Sequence, residues 1–290
     1  MEVVYATDLS EPTEAAVKSQ TCLDCLKRVG VDKIHLIHVI NVSMRSGIAP
    51  FDLESPKQEL LDGQKGVLED EGFEVESHVV RGTPYRRIND LAKEVDADMI
   101  IVGSKGRGRI QRTLIGSTAK NMARTASRPL LIQRITGHEE GEVKVAEKAI
   151  FSRVLHPTDF SENAQRAYNE FQDIQESVQE VDLLHVLTGE EDVVGGEEGA
   201  KQTLEDLRGE LEDLKDDIDV ETNVREGNAV EEILAEEDDW DPSLVLMGSR
   251  GLSRIRRLLL GSVTESVAEK STSNVLIVPP SGAKTTPKTE

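Results

Sequence analysis

The sequence predicts an α/β protein made of two tandem doubly wound domains, each with a five-stranded parallel sheet. The first observation is a repeated phrase: Gly103-Ser-Lys-Gly106, nine residues and Gly116-Ser117 recur as Gly248-Ser-Arg-Gly251, nine residues and Gly261-Ser262. The second is that short apolar runs alternate with helix-length segments in both halves, as in parallel strands covered by helices on both faces. The third is the length, since 290 residues suit about two domains of roughly 100–200 residues each.

Each half contains five apolar runs that we interpret as strands, with a helix-length segment between successive runs. In the first half they are Val3–Ala6, Ile34–Ile40, Phe73–Val80, Met99–Val102 and Leu130–Ile132. In the second half they are Val154–His156, Val181–Leu187, Ile218–Val224, Leu244–Met247 and Val275–Val278. A parallel sheet built in this way has its ligand crevice beyond the carboxyl ends of its strands.

Polar motifs repeat at the predicted strand ends, with a nearly constant offset between the halves. Thr7-Asp8-Leu-Ser after the first strand has its counterpart in Thr158-Asp159-Phe-Ser. His38-Val39 in the second strand corresponds to His185-Val186. Such recurrence indicates two copies of one domain, and the position of the motifs places them at the crevice of each copy.

Composition indicates where the copies begin and end. We predict a first domain over residues 1–136, a polar linker over 137–147, a second domain over 148–280 and a disordered tail over 281–290. No apolar run is long enough for a signal sequence or a membrane span. We therefore expect a cytoplasmic protein with no membrane partner.

Charge divides the two halves unequally. Residues 1–145 carry 22 acidic and 20 basic side chains, a net charge of −2, whereas residues 146–290 carry 33 and 14, a net charge of −19. We expect no nucleic-acid partner, because phosphate neutralisation requires a basic surface. The acidic second half fits a solvated helix face, a docking surface for a basic partner or a salt-rich cytoplasm, and the sequence does not choose among them.

The repeated glycine phrase has the chemistry of a phosphate site. Glycines at a strand-to-helix turn let backbone N–H groups approach a ligand, and Ser117 or Ser262 would add a hydroxyl beside the positive end of a helix dipole. Guanidinium groups match phosphate oxygens, although such side chains could instead lie on the surface or pair with acids. The cations that accompany the two turns are Lys105, Arg107, Arg109, Arg112, Arg250, Arg254, Arg256 and Arg257.

Together these motifs resemble the ATP-binding branch of the universal stress protein family, present here as a tandem pair. The resemblance covers nearly the whole chain and implies the adenine nucleotide alpha hydrolase-like fold. It also implies binding of ATP or AMP, with Mg²⁺ when ATP is bound, and slow turnover at most. Members of this family pair through their last strands, which implies an intrachain pseudo-dimer here and leaves a further homodimer open.

The resemblance implies a role for each matching position. The aspartates would lie near the ribose or the adenine edge, and the valine backbone would face adenine. The nucleoside would be held by Thr7, Asp8 and Val39 in one copy and by Thr158, Asp159 and Val186 in the other. The phosphates would be held by Gly103, Gly106, Gly116, Ser117 and Thr118 in one copy and by Gly248, Gly251, Gly261, Ser262 and Val263 in the other. From the residues alone, each aspartate could equally be the N-cap of the following helix.

Two departures make the copies unequal. Pro84, which follows the third strand of the first copy, is replaced by Ala229 in the second. After the Gly-Ser pair, Lys120 in one copy corresponds to Glu265 in the other, which would tune phosphate affinity in opposite directions. We expect both sites to bind, with different affinities.

The remaining motifs indicate structure rather than catalysis. Cys22 and Cys25 form an isolated CxxC pair, so we expect thiols in the core or on the surface without zinc or redox chemistry. His38 and His185 are expected to be packed or hydrogen-bonded rather than to act as general bases. His35 and His78 have no counterpart in the other half.

Three functions fit these residues. The first is a stress-response regulatory protein that binds an adenine nucleotide. The second is a slow ATPase or a nucleotide-dependent transferase, which the lack of an evident base or nucleophile disfavours. The third is an interaction module that binds no nucleotide, which the duplicated glycine spacing disfavours.

Overall fold

The structure is a computed structural model that describes residues 1–41, 54–104, 115–137, 143–145, 149–189, 195–251 and 260–280. The first half contains β1 (Glu2–Ala6), α1 (Glu11–Val17), α2 (Gln20–Arg28), β2 (Lys33–Asn41), α3 (Glu54–Asp70), β3 (Glu74–Gly82), α4 (Pro84–Glu94), β4 (Met99–Gly103), α5 (Ser117–Thr125) and β5 (Leu130–Gln133). A short pair, β6 (Ile135–Gly137) and β7 (Val143–Val145), follows. The second half contains β8 (Arg153–Pro157), α6 (Glu162–Asn169), α7 (Phe171–Ile174), a 3₁₀ turn (Gln175–Ser177), β9 (Glu180–Leu187), α8 (Gly196–Leu214), β10 (Asp219–Glu226), α9 (Ala229–Trp240), β11 (Leu244–Gly248), α10 (Ser262–Lys270) and β12 (Asn274–Val278).

All ten predicted strands are present and form one continuous sheet, in the order β10-β9-β8-β11-β12-β5-β4-β1-β2-β3. Strands within each half pair in parallel, which confirms the two doubly wound halves. The halves meet where β12 pairs antiparallel with β5, with Leu276 opposite Leu131. The strands of the two halves therefore run in opposite directions, and the carboxyl ends of one set of five lie on the side of the sheet where the other set has its amino ends.

Apolar side chains bury both faces of this sheet. The central strands β4 and β11 are nearly continuous apolar runs, as expected for parallel strands that helices cover on both sides. Leu131 and Leu276, at the junction, belong to one buried cluster that also contains Leu36 from the first half and Phe151 from the second. The junction between the halves is therefore part of the hydrophobic core.

Polar contacts also join the halves beside this junction. Arg134 is buried, and its Nε donates to the carbonyl of Ser273 at 2.9 Å. On the neighbouring helices α5 and α10, Lys120 Nζ lies 3.6 Å from Glu265 Oε1, and Arg124 also pairs with Glu265. The sequence comparison assigns Lys120 and Glu265 to separate sites, but in the structure they form an ion pair with each other across the junction.

The helices that follow the third strands begin in two different ways. In the first half Pro84 lies in the first turn of α4, where its missing N–H removes no helical hydrogen bond. In the second half the Asn228 side chain caps α9 by accepting the N–H groups of Val230 at 3.0 Å and Glu231 at 3.3 Å. A capping side chain thus compensates for the proline that Ala229 replaces.

The β6–β7 pair was not predicted. Each of its strands has only three residues, too few for an alternating pattern to be recognised in the sequence. The two strands pair antiparallel, with Ile135 opposite Val145.

Two further features of the described residues are the state of the cysteines and the apolar content of the helices. Cys22 and Cys25 are free thiols in the core, and burial raises the pKa of both. The core is one of the two locations predicted for these thiols. Across the described ranges, none of the helices combines the length and apolar content that a bilayer crossing requires.

Candidate functional site

A cleft of about 630 Å³ opens at the carboxyl ends of β8, β9 and β11 in the second half. This is the position that the topology of a parallel sheet favours for a ligand. The residues predicted for this copy come from these three strand ends and from the start of α10, and all of them line the cleft, together with Glu226 at the end of β10. The predicted residues are Thr158, Asp159, Val186, Gly248, Gly251, Gly261, Ser262 and Val263.

The first strand of this half ends in a tight turn that two side chains brace. Thr158 Oγ1 accepts the N–H of Phe160 at 3.1 Å, and Asp159 Oδ1 accepts the N–H of Ser161 at 3.0 Å. Phe160 has a left-handed backbone (φ 56°), which is uncommon for a residue other than glycine. The N-cap of α6 is Ser161, whose Oγ accepts the N–H of Ala164 at 3.2 Å. The alternative in which Asp159 caps this helix is therefore wrong.

The carboxylate of Asp159 reaches the loop that follows the fourth strand of this half. A Cβ at Gly251 would collide with Asp159 Oδ2, so any larger residue there would displace this carboxylate. Arg250, the one predicted loop cation within the described residues, lines the same cleft. This part of the cleft combines a carboxylate, a guanidinium group and glycine backbone, which suit ribose hydroxyls and phosphate.

The glycines of the repeated phrase do not all have the same role. A Cβ at Gly248 would lie 2.6 Å from the carbonyl oxygen of Asn163 in α6, so this glycine is required for helix-to-strand packing. Gly261 is the N-cap of α10, and a Cβ there would lie 3.4 Å from Arg250 Cα. Packing thus explains Gly248, while phosphate binding at Gly251 and Gly261 stays a prediction.

Helix α10 begins at the cleft with its first N–H groups available. Gly261 has no capping side chain, and its carbonyl accepts the N–H of Glu265 at 2.9 Å. The N–H groups of Ser262, Val263 and Thr264 have no partner within the helix, because the first turn of any α-helix leaves them unpaired. All three residues line the cleft. The helix therefore offers donors and the positive end of its dipole to an anion.

A histidine anchors the Thr-Asp turn in both halves. His185 Nδ1 donates to the carbonyl of Thr158 at 2.9 Å, and His38 Nδ1 donates to the carbonyl of Thr7 at 2.9 Å. Because a carbonyl only accepts, Nδ1 carries the proton in each ring. Phe160 stacks on His185, with ring centroids 4.5 Å apart. These contacts confirm the hydrogen-bonded role predicted for both histidines.

The first half repeats the turn with two additional contacts, one of them from the Ser10 hydroxyl to Asp8 Oδ1 at 2.5 Å. Asp8 Oδ1 accepts the N–H of Ser10 at 3.0 Å, and Leu9 has a left-handed backbone (φ 58°). Thr13 Oγ1 also donates to Asp8, whereas Ala164 occupies the matching position in the second half. Ser10, not Asp8, stands at the N-cap position of α1.

The other residues predicted for the first half also lie at strand and helix ends, as far as the structure describes them. Val39 lies near the end of β2 and Gly103 at the end of β4. Gly116 is the N-cap of α5, and Ser117 and Thr118 form its first turn. Some predicted residues of both halves lie outside the described ranges. They are Gly106 and the loop cations Lys105, Arg107, Arg109, Arg112, Arg254, Arg256 and Arg257.

The second-half cleft also has an apolar wall that the sequence motifs did not indicate. Leu184, Ile233 and Met247 line it and are buried. Leu184 precedes Val186 by two residues in β9, so the two side chains share a face of the sheet. The alternation of side chains along the strand could therefore have added Leu184 to the site predicted at Val186.

The chain has many relatives among known proteins. The universal stress protein family matches residues 1–134 and 151–279, which is most of both halves. Universal stress protein MJ0577 of Methanocaldococcus jannaschii is 31% identical over 150 residues, covering 45% of this chain and 93% of the relative. A universal stress protein of Mycolicibacterium smegmatis is 26% identical over 296 residues, covering 96% of this chain and 97% of the relative.

Among solved structures, the crystal structure of a universal stress protein from Archaeoglobus fulgidus is similar over the whole fold. Its TM-score is 0.70 at 24% sequence identity, and the match covers 96% of this chain and 98% of that chain. At this identity the likeness shows a shared fold with two tandem domains.

Proposed function

The chain belongs to the universal stress protein family, and from that premise we propose that it binds an adenine nucleotide, ATP or AMP, as a stress-response regulatory protein. One observation carries the proposal. The Asp159 carboxylate, the loop at Gly251 and the amino terminus of α10 all converge on one cleft. The first half has the same turn and the same helix start, so we propose a second site there.

Each part of the cleft suits one part of a nucleotide. The apolar wall at Leu184 and Ile233 suits a purine ring, because ligand pockets are mostly apolar with a few convergent polar groups. The Asp159 carboxylate suits ribose hydroxyls, as acidic residues do in other nucleotide-binding α/β folds. The first-turn N–H groups of α10, which have no partner within the helix, and the Arg250 guanidinium suit phosphate. Mg²⁺ would accompany ATP, since triphosphate oxygens are its preferred ligands.

Binding rather than turnover is the expected activity. A hydrolase needs a base within reach of the attacking water. In the described part of the cleft the histidine is His185, whose Nδ1–H bonds to the Thr158 carbonyl and whose ring stacks on Phe160, so both contacts give it a role in holding the Thr-Asp turn. We therefore propose slow hydrolysis at most.

The test is calorimetry of the full chain with ATP and Mg²⁺, followed by competition with ADP and AMP. We expect up to two sites per chain. Gly251→Ala should weaken the second-half site by about tenfold or more, which is about 1.4 kcal/mol, because the new Cβ displaces the Asp159 carboxylate. Gly209→Ala is the matched control, since a Cβ at that position in α8 meets nothing within 4 Å.

The outcomes separate the three hypotheses. Failure to bind any adenine nucleotide, with or without Mg²⁺, would overturn the proposal in favour of an interaction module. Phosphate release that scales with bound ATP over many turnovers would favour the ATPase. Equal affinities in Gly251→Ala and Gly209→Ala would show that the Gly251 loop does not contact the ligand.

A further inference from the structure

A second polar cluster lies in the first half, away from the crevice. His35 and Glu76 are the third residues of β2 and β3, and they pair directly in register. His78 lies two residues after Glu76, so its side chain shares the same face of the sheet. The crevice lies at the carboxyl ends of these strands, whereas the cluster lies in their amino-terminal halves.

The three side chains bring their ligand atoms to the spacing of a metal site. His35 Nδ1 lies 3.2 Å from His78 Nε2 and 3.6 Å from Glu76 Oε2. The three ligand atoms all lie within 4.8 Å of one another. Zn²⁺ holds nitrogen and oxygen ligands at roughly 2.0–2.2 Å, which places two ligands of a tetrahedral ion about 3.3–3.6 Å apart. Only small movements separate the observed positions from that geometry.

The ring of His35 is held by a partner on its other nitrogen. It is buried, with 2% of the side chain exposed, and Glu2 Oε1 lies 2.5 Å from its Nε2. An ionised carboxylate only accepts, so Nε2 carries the proton and Nδ1 keeps a lone pair on the side of His78 and Glu76. A carboxylate bonded to the outer N–H is the usual companion of a metal-bound histidine, because it orients the ring and raises its basicity.

The surrounding charges favour a cation. Lys33 Nζ lies 2.8 Å from Glu76 Oε1, which leaves Oε2, the oxygen nearer His35, for an ion. The carboxylates of Glu2 and Glu74 each lie 3.4 Å from the same ammonium group. Three carboxylates therefore surround one lysine, and the excess negative charge attracts a positive ion.

We propose that His35, Glu76 and His78 bind one Zn²⁺ ion, with Glu2 as a positioning residue for His35. Two imidazole nitrogens and a carboxylate oxygen suit Zn²⁺ and do not suit Mg²⁺, which prefers oxygen ligands alone. Solvent completes the coordination, since Glu76 is half exposed. The ion ties β3, the outermost strand of the first half, to β2.

The second half provides an internal comparison. Its matching strands place Asp182 opposite Glu221, and Asn223 occupies the position of His78. Asn223 donates to Asp182 Oδ1 at 2.9 Å, so an amide and a carboxylate fill the place of the two imidazoles. We therefore expect one Zn²⁺ per chain and not two.

The test is titration of the full-length, nucleotide-free chain after chelator treatment. Co²⁺ binding is followed by visible absorption and Zn²⁺ binding by calorimetry. We expect one ion per chain, a tetrahedral Co²⁺ spectrum and a melting temperature that rises with Zn²⁺ concentration. His78→Gln should abolish the spectrum. Glu2→Gln should weaken Zn²⁺ binding by roughly 10- to 100-fold, as loss of an outer-shell partner does.

Glu221→Gln is the matched control for Glu76→Gln, because the two glutamates occupy the same place in the two halves. The control should bind Zn²⁺ as the unaltered chain does, and Glu76→Gln should bind it more weakly. His35 is buried, so His78→Gln, with an unchanged circular dichroism spectrum, is the deciding variant. Undiminished binding in His78→Gln would overturn the proposal. Absence of a tetrahedral Co²⁺ spectrum in the unaltered chain would also overturn it and leave a hydrogen-bonded histidine pair.

Discussion

The two halves of the chain agree at the carboxyl ends of their strands and differ at the amino ends. At the carboxyl ends, both have a left-handed residue after the aspartate of the Thr-Asp turn and a histidine bonded to the threonine carbonyl. Closer to the amino ends, His35 of the first half is replaced by Asp182 of the second. The same fold thus carries one set of polar residues that recurs in both halves and one set that differs between them.

An ion pair at the amino-terminal ends of the strands is an example of such a difference between the halves. In the first half Lys33 Nζ lies 3.4 Å from Glu2 Oε1, and in the second Arg153 Nη1 lies 3.2 Å from Glu180 Oε2. All four are the first residues of equivalent strands, and the signs are exchanged. Both halves thus place opposite charges on the first residues of neighbouring strands although the residues differ, whereas at the crevice the residue types themselves recur.

The largest expected effect comes from a change that affects both halves at once. Leu131 lies in β5 between β4 and β12 and is fully buried. Leu131→Pro removes a ladder donor from a central strand and disturbs its packing, so we expect loss of cooperative folding or aggregation. Urea unfolding and size-exclusion chromatography measure this.

Leu131→Ala separates packing from the ladder, because alanine keeps the N–H group. This variant should stay folded and lose on the order of 2–5 kcal/mol of unfolding free energy. A Leu131→Pro chain that elutes as a monomer with the stability of the alanine variant would contradict the role of the β5–β12 pairing.

The second prediction separates two glycines of the same phrase. Gly248→Ala should cost on the order of 1–3 kcal/mol of unfolding free energy, because its Cβ would meet the Asn163 backbone, which cannot move without shifting α6. Gly251→Ala should instead reduce nucleotide affinity with a smaller change in stability. Thermal unfolding and calorimetry on both variants test this, and equal stability losses would show that the two glycines have one shared role.

The third prediction concerns Asp182, which stands where the first half has His35. Burial, together with the nearby Glu236 carboxylate, raises the pKa of Asp182 to about 7. The folded chain therefore holds a proton that the unfolded chain, with a pKa near 3.8, releases. The stability from this proton is present below about pH 4 and is lost as the pH rises toward 7.

Asp182→Asn should remove this pH dependence, since its amide oxygen can still accept from Asn223. We expect the variant to be more stable than the unaltered chain at pH 8, by on the order of 1–3 kcal/mol, and similar to it near pH 4. Urea unfolding at both pH values measures the difference. Parallel pH profiles for the two proteins would mean that Asp182 is ionised throughout.

The smallest expected effect concerns the ion pairs between α5 and α10. Lys120 and Glu265 are both partly exposed, at 40% and 27% of their side chains, so solvent screens their attraction. Lys120→Ala should therefore lower the unfolding free energy only slightly, and high salt should remove most of that difference. A larger loss that persists in high salt would show that Lys120 contributes through packing.

The sequence was sufficient for the ten-stranded sheet and for the polar and glycine residues that it predicted in the second-half cleft. Apolar runs such as Leu244–Met247 are long and regular, and the repeat marked which polar residues share a crevice. Contacts between side chains that depend on the register of the strands could not be predicted from the sequence. The approach of His35 to His78, and the proximity of Asn163 to Gly248, follow only from the register of β2 with β3 and from the packing of α6.

The Lys120–Glu265 pair was misjudged for a related reason. The repeat aligns the two residues as equivalents, and equivalent positions are usually far apart. The antiparallel β5–β12 junction places α5 beside α10, so residues at the same position in each helix meet. A sequence alignment of the halves contains no information about this proximity.

The β5–β12 junction joins two domains of one chain, so their pairing does not depend on the concentration of the protein. Separate single-domain chains would pair only above their dissociation constant, whereas a covalent connection holds the second domain at an effective concentration that is millimolar for short flexible linkers. Assembly of the ten-stranded sheet is then independent of how much chain is synthesised. Each half also meets a different partner rather than a copy of itself. The second half can therefore carry a net charge of −19 against −2 in the first, without the repulsion that pairing two such acidic domains would create.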